Sequence, residues 1–150
     1  MEDKEKEGAV EILRNGGVGV MPTDTIYGIV SSAFNPQAVE RIFEIKKRDK
    51  KKALIVLISQ VEDLEIFGVK IDNQAKILLQ KFWPEPVSVI FPVSQKWSYI
   101  DRGIGKIAFR LPAQKWLQDF IRESGPIVAP SANREGDKPC LLYTSPSPRD

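Results

Sequence analysis

Three short clusters of polar side chains in this 150-residue sequence could together bind an anionic substrate. In chain order they are Thr23, Thr25 and Tyr27; Lys46 and Arg48; and Ser131 and Asn133. The first and third clusters follow apolar runs, so we expect each at a strand end, where rigid backbone holds binding groups. Cations beside hydroxyl and amide donors, with no strong base among them, are typical of a site for a polyanion such as a nucleoside triphosphate.

Arg110 is a further candidate, because it closes an apolar stretch and its charge needs an anionic partner or water. If the chain is extended at Lys46 and Arg48, period two puts both side chains on one face. A structural alternative stays open for each candidate. The two cations could form a solvated helix end, Ser131 and Asn133 could only turn the chain, and Arg110 could pair with an internal carboxylate.

The residue types that are missing narrow the chemistry. The sequence has no histidine and a single cysteine, Cys140. This composition excludes Ser-His-Asp and Cys-His catalysis, histidine-ligated zinc and an internal disulfide. Reactions driven by positioning and electrostatics, such as phosphoryl or nucleotidyl transfer, are therefore favoured.

The elements that must position these side chains alternate between helix and strand. Helical periodicity and stop signals predict helices over 3–14, 36–46, 72–82 and 113–123, with a short helix after Ser59. Apolar runs predict strands over 17–21, 26–31, 54–58, 87–93, 106–110 and 127–129. The third helix should have one apolar side that faces the core, with residues at i, i+3, i+4 and i+7 spacing: Ala75, Leu78, Leu79 and Phe82. The alternation predicts one layered α/β domain.

The sequence shows no sign of a membrane or secretory segment. Its apolar runs stay below the ~18 residues that a membrane helix needs. The charged start, 1–7, lacks the apolar region of a signal peptide. We expect a cytoplasmic protein without membrane contact. The net charge of +2 is too small to indicate nucleic-acid binding, and the lysines at 50–52 should face solvent.

Five motifs stand in order along the chain. They are Pro22-Thr23-Asp24-Thr25-Ile26-Tyr27-Gly28, Ile45-Lys46-Lys47-Arg48-Asp49, Phe82-Trp83-Pro84-Glu85-Pro86-Val87-Ser88, Arg110-Leu111-Pro112, and 125–133 with its Ser-x-Asn ending. Together they resemble the YrdC/TsaC-type threonylcarbamoyl-AMP synthase family. The resemblance implies a single YrdC-like α/β domain, in which helices flank a twisted, mixed parallel and antiparallel sheet with a concave open face.

The resemblance also implies an activity, that of an L-threonylcarbamoyladenylate synthase. Such a nucleotidyltransferase joins L-threonine, bicarbonate and ATP into threonylcarbamoyl-AMP and releases pyrophosphate. ATP is then a substrate and Mg²⁺ the accompanying ion, with no metal ligand assigned among the side chains. The implied partners are the transferase machinery that modifies tRNA downstream, and tRNA or double-stranded RNA itself.

Each candidate residue gains an implied role from the same resemblance. Lys46 and Arg48 are implied as catalytic and nucleotide-binding residues, and Ser131 and Asn133 as ligands of the nucleotide phosphates. The threonine and bicarbonate pocket is implied to consist of Thr23, Thr25, Tyr27 and Arg110.

The last eleven residues, 140–150, have no helical or strand period. One of the DNA sequences that could encode residues 140–150 resembles the adaptor used in transposase-based sequencing libraries. We therefore expect a YrdC-like domain over 1–139, incomplete at its C-terminus, followed by a non-native tail. A disordered Ser/Pro tail is the alternative.

Two other functions stay open from the sequence. The basic stretch that contains Lys46 and Arg48 could clamp double-stranded RNA or tRNA in a binding module without catalysis. A hydrogenase-maturation-type carbamoyltransferase domain, which uses carbamoyl phosphate with ATP, is the second.

Overall fold

The computed structural model describes residues 3–23, 27–46, 54–85 and 87–130. The strands are β1 Gly19–Pro22, β2 Tyr27–Ser32, β3 Ile55–Leu57, β4 Val89–Pro92, β5 Lys106–Arg110 and β6 Ile127–Val128. The helices are α1 Asp3–Arg14, α2 Pro36–Lys46, α3 Asn73–Leu79, α4 Ser98–Asp101 and α5 Lys115–Ser124, with 3-10 helices at Val61–Phe67 and Gln95–Trp97. The predicted α/β class is confirmed.

The strands form one six-stranded sheet in the order β1-β2-β6-β3-β5-β4. β3 and β5 are parallel, and the other neighbouring pairs are antiparallel. The prediction of a mixed parallel and antiparallel sheet is thus confirmed. Because β6 lies between β2 and β3, a late segment of the chain enters the middle of the sheet beside two early ones.

One face of the sheet packs against α2. Its side chains Val39, Ile42 and Phe43 lie in one buried cluster with Val56 of β3 and Phe109 of β5. All five are at most 1% exposed. Burial of this much apolar surface, at roughly 25 cal/mol per Å², fixes the helix on the sheet.

α2 begins where its sequence signals predict. The Asn35 side-chain oxygen accepts a hydrogen bond from the backbone N–H of Ala38 at 2.9 Å. Pro36 occupies the first helical position, where its missing N–H costs nothing. The predicted helix start is confirmed.

The other face is covered by α1 and α5 over part of its width. Leu13 of α1 and Leu117 and Phe120 of α5 pack in one buried cluster with Val30 of β2 and Ile127 of β6. These helices therefore cover the half of the sheet that contains β2 and β6.

On the same face, β3, β5 and β4 carry a more open row of apolar side chains. Ile55, Ala108 and Ile90 are paired across the three strands, so their side chains project to one side. Ile55 and Ala108 are half-buried, and Ile90 is 40% exposed. This row, which we call the open row, forms the open face that the fold class predicts.

Two helical regions differ from the sequence prediction. α3 ends at Leu79, which is buried, whereas Leu78 is 54% and Phe82 39% exposed. The prediction of an inward side is therefore right for Leu79 and wrong for Leu78 and Phe82. Phe82 lies beyond the end of α3, so the helical period no longer sets its direction. The short helices at Gln95–Trp97 and Ser98–Asp101 were not predicted. Among the described helices, none combines the length and apolar character needed to cross a bilayer.

Candidate functional site

Strand directions bring two of the predicted clusters to one end of the sheet. β6 runs antiparallel to both β2 and β3, so the end of β6 lies beside the starts of β2 and β3. We call this the Thr23 end of the sheet, defined by Tyr27, Val128 and Ile55. The backbone N–H of Ala129 donates to the carbonyl of Ile55 at 3.0 Å, which continues the pairing to this end.

α2 carries the chain back towards the Thr23 end of the sheet, and Lys46 is its last residue. The helix starts just after β2 finishes and packs back along it. Its 11 residues span about 16 Å at 1.5 Å per residue, close to the ~20 Å length of β2. Lys46, the last helical residue, is therefore near the level at which β2 begins.

The side chain of Lys46 is 3% exposed. The alternative that it belongs to a solvated helix end is wrong for this residue. The premise of an extended chain also fails at Lys46 itself, because it ends a helix. Arg48, the other member of this cluster, lies outside the described residues.

Thr23 and the residue that follows β6 both lie close to Gly28 of β2. A methyl group placed on Gly28 would lie 3.2 Å from the Thr23 Cγ2 atom and 3.2 Å from the carbonyl oxygen of Pro130. Both residues therefore pack against the bare backbone of Gly28. Since Ser131 directly follows Pro130 in the sequence, the third cluster begins beside the first.

Tyr27 opens β2 opposite Pro22 and is 63% exposed. Its phenol is thus available to solvent at the Thr23 end. Thr25, Ser131 and Asn133 lie outside the described residues, as does Asp24. Thr23, Tyr27 and Pro130, the residue that precedes Ser131, thus lie at one end of the sheet. The length of α2 puts Lys46 towards the same end, on the sheet face that α2 covers.

Arg110 lies at the opposite end of the sheet. It pairs with Leu57 at the end of β3, and its carbonyl accepts a hydrogen bond from the Ile58 N–H at 3.0 Å. Three strands and about four residue steps separate it from Gly28, on the order of 20 Å between Cα atoms. Arg110 and Thr23 are not brought together.

The environment of Arg110 is nevertheless polar on the open face. Alternation along β5 puts its side chain on the same face as Ala108, next to the open row. Arg110 is only 5% exposed. Its Nη1 atom lies 3.5 Å from the hydroxyl oxygen of Ser88. Ser88 was not predicted as a site residue. The one sequence feature that could have indicated it is its position directly before a strand.

Metal ligands are a separate question. In ranges 3–23, 27–46, 54–85 and 87–130, no three side chains of His, Cys, Asp or Glu gather where they could hold an ion. The described part of the site offers hydroxyl and cationic groups instead. These residues do not fit a resident Mg²⁺ ion.

The chain was compared with known families and proteins. The Sua5_yciO_yrdC family model, described as "Telomere recombination", matches residues 11–144. This span reaches past the predicted domain end at residue 139, and the assignment of 140–150 as a non-native tail stays a prediction.

Individual relatives agree with the family match. A threonylcarbamoyl-AMP synthase of Pyrococcus abyssi is 37% identical over 130 residues, 85% of this chain and 38% of that protein. One of Coxiella burnetii is 35% identical over 133 residues, 87% of this chain and 72% of that protein. The chain thus spans about two fifths of the Pyrococcus relative's length and most of the Coxiella relative's.

Among solved structures, that of P. abyssi Sua5 complexed with L-threonine superimposes with a TM-score of 0.84 at 35% identity. The superposition covers 93% of this chain and 42% of that one.

Proposed function

This chain belongs to the Sua5/YciO/YrdC family, and from that membership we propose that it is an L-threonylcarbamoyladenylate synthase. The proposed substrates are L-threonine, bicarbonate and ATP. Bicarbonate and the threonine amine first form N-carboxy-threonine with loss of water, so the products are threonylcarbamoyl-AMP, pyrophosphate and water. The observation that supports the proposal is the approach of Thr23 and Pro130 to Gly28 at one end of the sheet, together with the buried Lys46 at the end of α2.

The residue chemistry suits this reaction. An oxygen of the N-carboxy group of N-carboxy-threonine attacks the α-phosphorus of ATP. The bond between this phosphorus and the oxygen that bridges the α- and β-phosphates breaks, and pyrophosphate leaves. The attacking group is already an anion, so no side-chain base is required. Cations and hydroxyl donors that stabilise charge on the phosphates are sufficient.

The roles proposed for the individual residues follow the family resemblance. Lys46 and Arg48 bind the triphosphate and bicarbonate oxygens and act in catalysis, and Ser131 and Asn133 donate to the phosphates. Thr23, Thr25 and Tyr27 line the threonine and carbamate pocket. The half-buried Thr23 and buried Lys46 support a partly water-excluded site, which would protect the mixed anhydride product from hydrolysis.

Arg110 is proposed to contact the anionic substrate from the far end of the open face. A distance on the order of 20 Å from Gly28 is too long for one small group. An extended nucleotide lying over the open row would be needed to reach both ends.

Mg²⁺ stays part of the proposal. In nucleotide enzymes this ion commonly binds through substrate phosphates and few protein groups, so it would arrive with ATP. The attack on the α-phosphorus and the departure of pyrophosphate are assigned here without a role for Mg²⁺. A cytoplasmic location, and delivery of the product to tRNA-modification machinery, are likewise proposed.

A pyrophosphate-release assay tests the proposal. Reactions contain ATP and bicarbonate with L-threonine, L-serine or no amino acid. They are run with two proteins. One is the 150-residue chain, and the other continues after residue 139 with the sequence found when the source DNA is sequenced again. Threonine-dependent release from either supports the proposal, and its absence from both overturns it.

Two further arms test the other functions. Release of pyrophosphate with carbamoyl phosphate in place of bicarbonate and threonine would indicate the carbamoyltransferase reaction. Binding of double-stranded RNA that weakens steeply with salt, without threonine-dependent pyrophosphate release, would indicate the RNA-binding module.

A further inference from the structure

Gly28 is the point that two separate segments of the proposed site both approach closely. It lies in β2 opposite Met21, which is 6% exposed. A Cβ atom at this position would meet the Pro130 carbonyl oxygen and Thr23 Cγ2, each at 3.2 Å, and the Ala129 Cβ at 3.8 Å. Two carbon atoms normally lie about 3.5–4.0 Å apart, so the contact with Thr23 Cγ2 is tight. The contact with the Pro130 oxygen is also shorter than most contacts that a Cβ atom makes.

Gly19 provides the contrast within the same hairpin. It pairs with Val30 in the β1–β2 ladder, and nothing lies within 4 Å of a Cβ atom built on it. Neither glycine has a positive φ. Alanine is therefore allowed by the backbone at both positions, and the difference between them is close approach alone.

We propose that Gly28 is a positioning residue of the proposed synthase site: its missing side chain lets Thr23 and the Pro130 carbonyl each pack close against β2, and so sets how near these two site segments lie to it. The inference rests on the proposed function for its catalytic consequence. Its geometric part, that Gly28 sets the contact, stands on the distances alone.

The strain of an added methyl group would fall on the site rather than on the sheet. β2 is held by its ladder with β1, and Met21 is buried opposite Gly28. The Pro130 carbonyl is backbone, and threonine is stiff at χ1 because it is branched at Cβ. Thr23 and Pro130 must therefore move apart, and small displacements of binding groups are costly in catalysis.

The test compares Gly28→Ala with Gly19→Ala. Because small displacements of binding groups are costly in catalysis, kcat/KM for L-threonine should fall about tenfold or more in Gly28→Ala. The thermal midpoint of both variants should stay near that of the wild type. Gly19→Ala should keep wild-type kinetics.

Thr23→Ser gives a second, independent arm, because serine keeps the hydroxyl and removes the Cγ2 atom. In this background Gly28→Ala should cost clearly less than in the wild type, since one of its two tight contacts is gone. An equal cost in both backgrounds, or wild-type kinetics for Gly28→Ala, would overturn the inference.

Amide hydrogen exchange separates this inference from the proposed function. In Gly28→Ala, exchange at Thr23 and Ala129 should be about tenfold faster, and Gly19→Ala should leave both unchanged. If the wild type releases no pyrophosphate, the proposed function fails, and the exchange rates still decide the positioning. Unchanged exchange in Gly28→Ala would overturn it.

Discussion

A lysine at a helix C-terminus ordinarily reaches water, because its long stem carries the charge outward and the helix dipole favours it there. Lys46 is instead 3% exposed at the last position of α2. Burying an ammonium group is costly unless a polar environment compensates. Its burial at the Thr23 end supports a role in binding anionic substrate.

Lys46→Met tests that role, because methionine has a similar length without charge. We expect kcat/KM for pyrophosphate release to fall about a hundredfold or more, as for loss of one preorganised charge-stabilising donor. Lys76→Met is the control, since its exposed ion pair with Glu62 at 3.5 Å contributes little. A wild-type rate for Lys46→Met would contradict the assignment.

The residues predicted from the motifs but outside the described ranges need their own test. Arg48→Ala and Ser131→Ala should each lower adenylate formation about a hundredfold or more, because each removes a donor to the phosphates. Lys51→Ala should be nearly silent if the lysines at 50–52 face solvent. Wild-type pyrophosphate release from both site variants would reject this part of the site.

At the scale of elements, α2 links a capping residue to a site residue. Asn35→Ala removes the side-chain acceptor for the Ala38 N–H, and should lower the free energy of unfolding by about 1 kcal/mol. It should also raise KM for ATP, because fraying at the start of α2 loosens the helix that carries Lys46. Urea unfolding and pyrophosphate-release kinetics measure the two effects.

Asp72→Ala is the matched control for that prediction. Asp72 caps α3 by accepting from the Ala75 N–H at 2.7 Å, so its loss should cost a similar ~1 kcal/mol. α3 carries none of the proposed site residues, and KM for ATP should not change. A rise in KM of equal size in both variants would show that the effect follows stability rather than α2.

Local signals explain which elements could be predicted. α2 has a cap, a proline in its first turn and Val39, Ile42 and Phe43 at helical spacing, and each signal agrees with the structure. The apolar spacing of Leu78 and Phe82 was misleading, because tertiary packing decides which side chains of a short helix are buried. The helices at 95–101 lack an apolar period long enough to detect.

The candidate site depended on information that no local pattern contains. The motifs located the polar residues, but the position of β6 between β2 and β3 is a long-range property. That strand order brings Pro130 to Gly28, at the same end of the sheet as Thr23, and leaves Arg110 at the other end. Gly28 carried a weak signal, since glycine inside a strand often marks close backbone approach, but its contacts could not be inferred.

At the scale of the whole molecule, α4 ties distant parts of the fold together. The Tyr99 hydroxyl donates to the carbonyl of Ala33, and Arg102 lies over the Phe43 ring and pairs with Glu40 at 3.0 Å. These contacts join the region before β5 to the β2–α2 connection. α2 is therefore held from both the sheet and α4.

Tyr99 makes this tie sensitive to pH. Burial raises the pKa of Tyr99 from 10.0 to about 12. The folded protein thus holds the phenolic proton more tightly than the unfolded chain does. The resulting stabilisation is complete below about pH 10 and is lost as the pH rises from about 10 to 12.

Tyr99→Phe should remove both the hydrogen bond and this pH dependence. At neutral pH the free energy of unfolding should fall by about 1 kcal/mol, because the Ala33 carbonyl loses its donor. Between pH 10 and 12 the wild type should lose stability more steeply than the variant, so the two curves converge. Urea unfolding from pH 8 to 12 measures both curves, and parallel curves across this range would contradict a buried phenol that titrates with the fold.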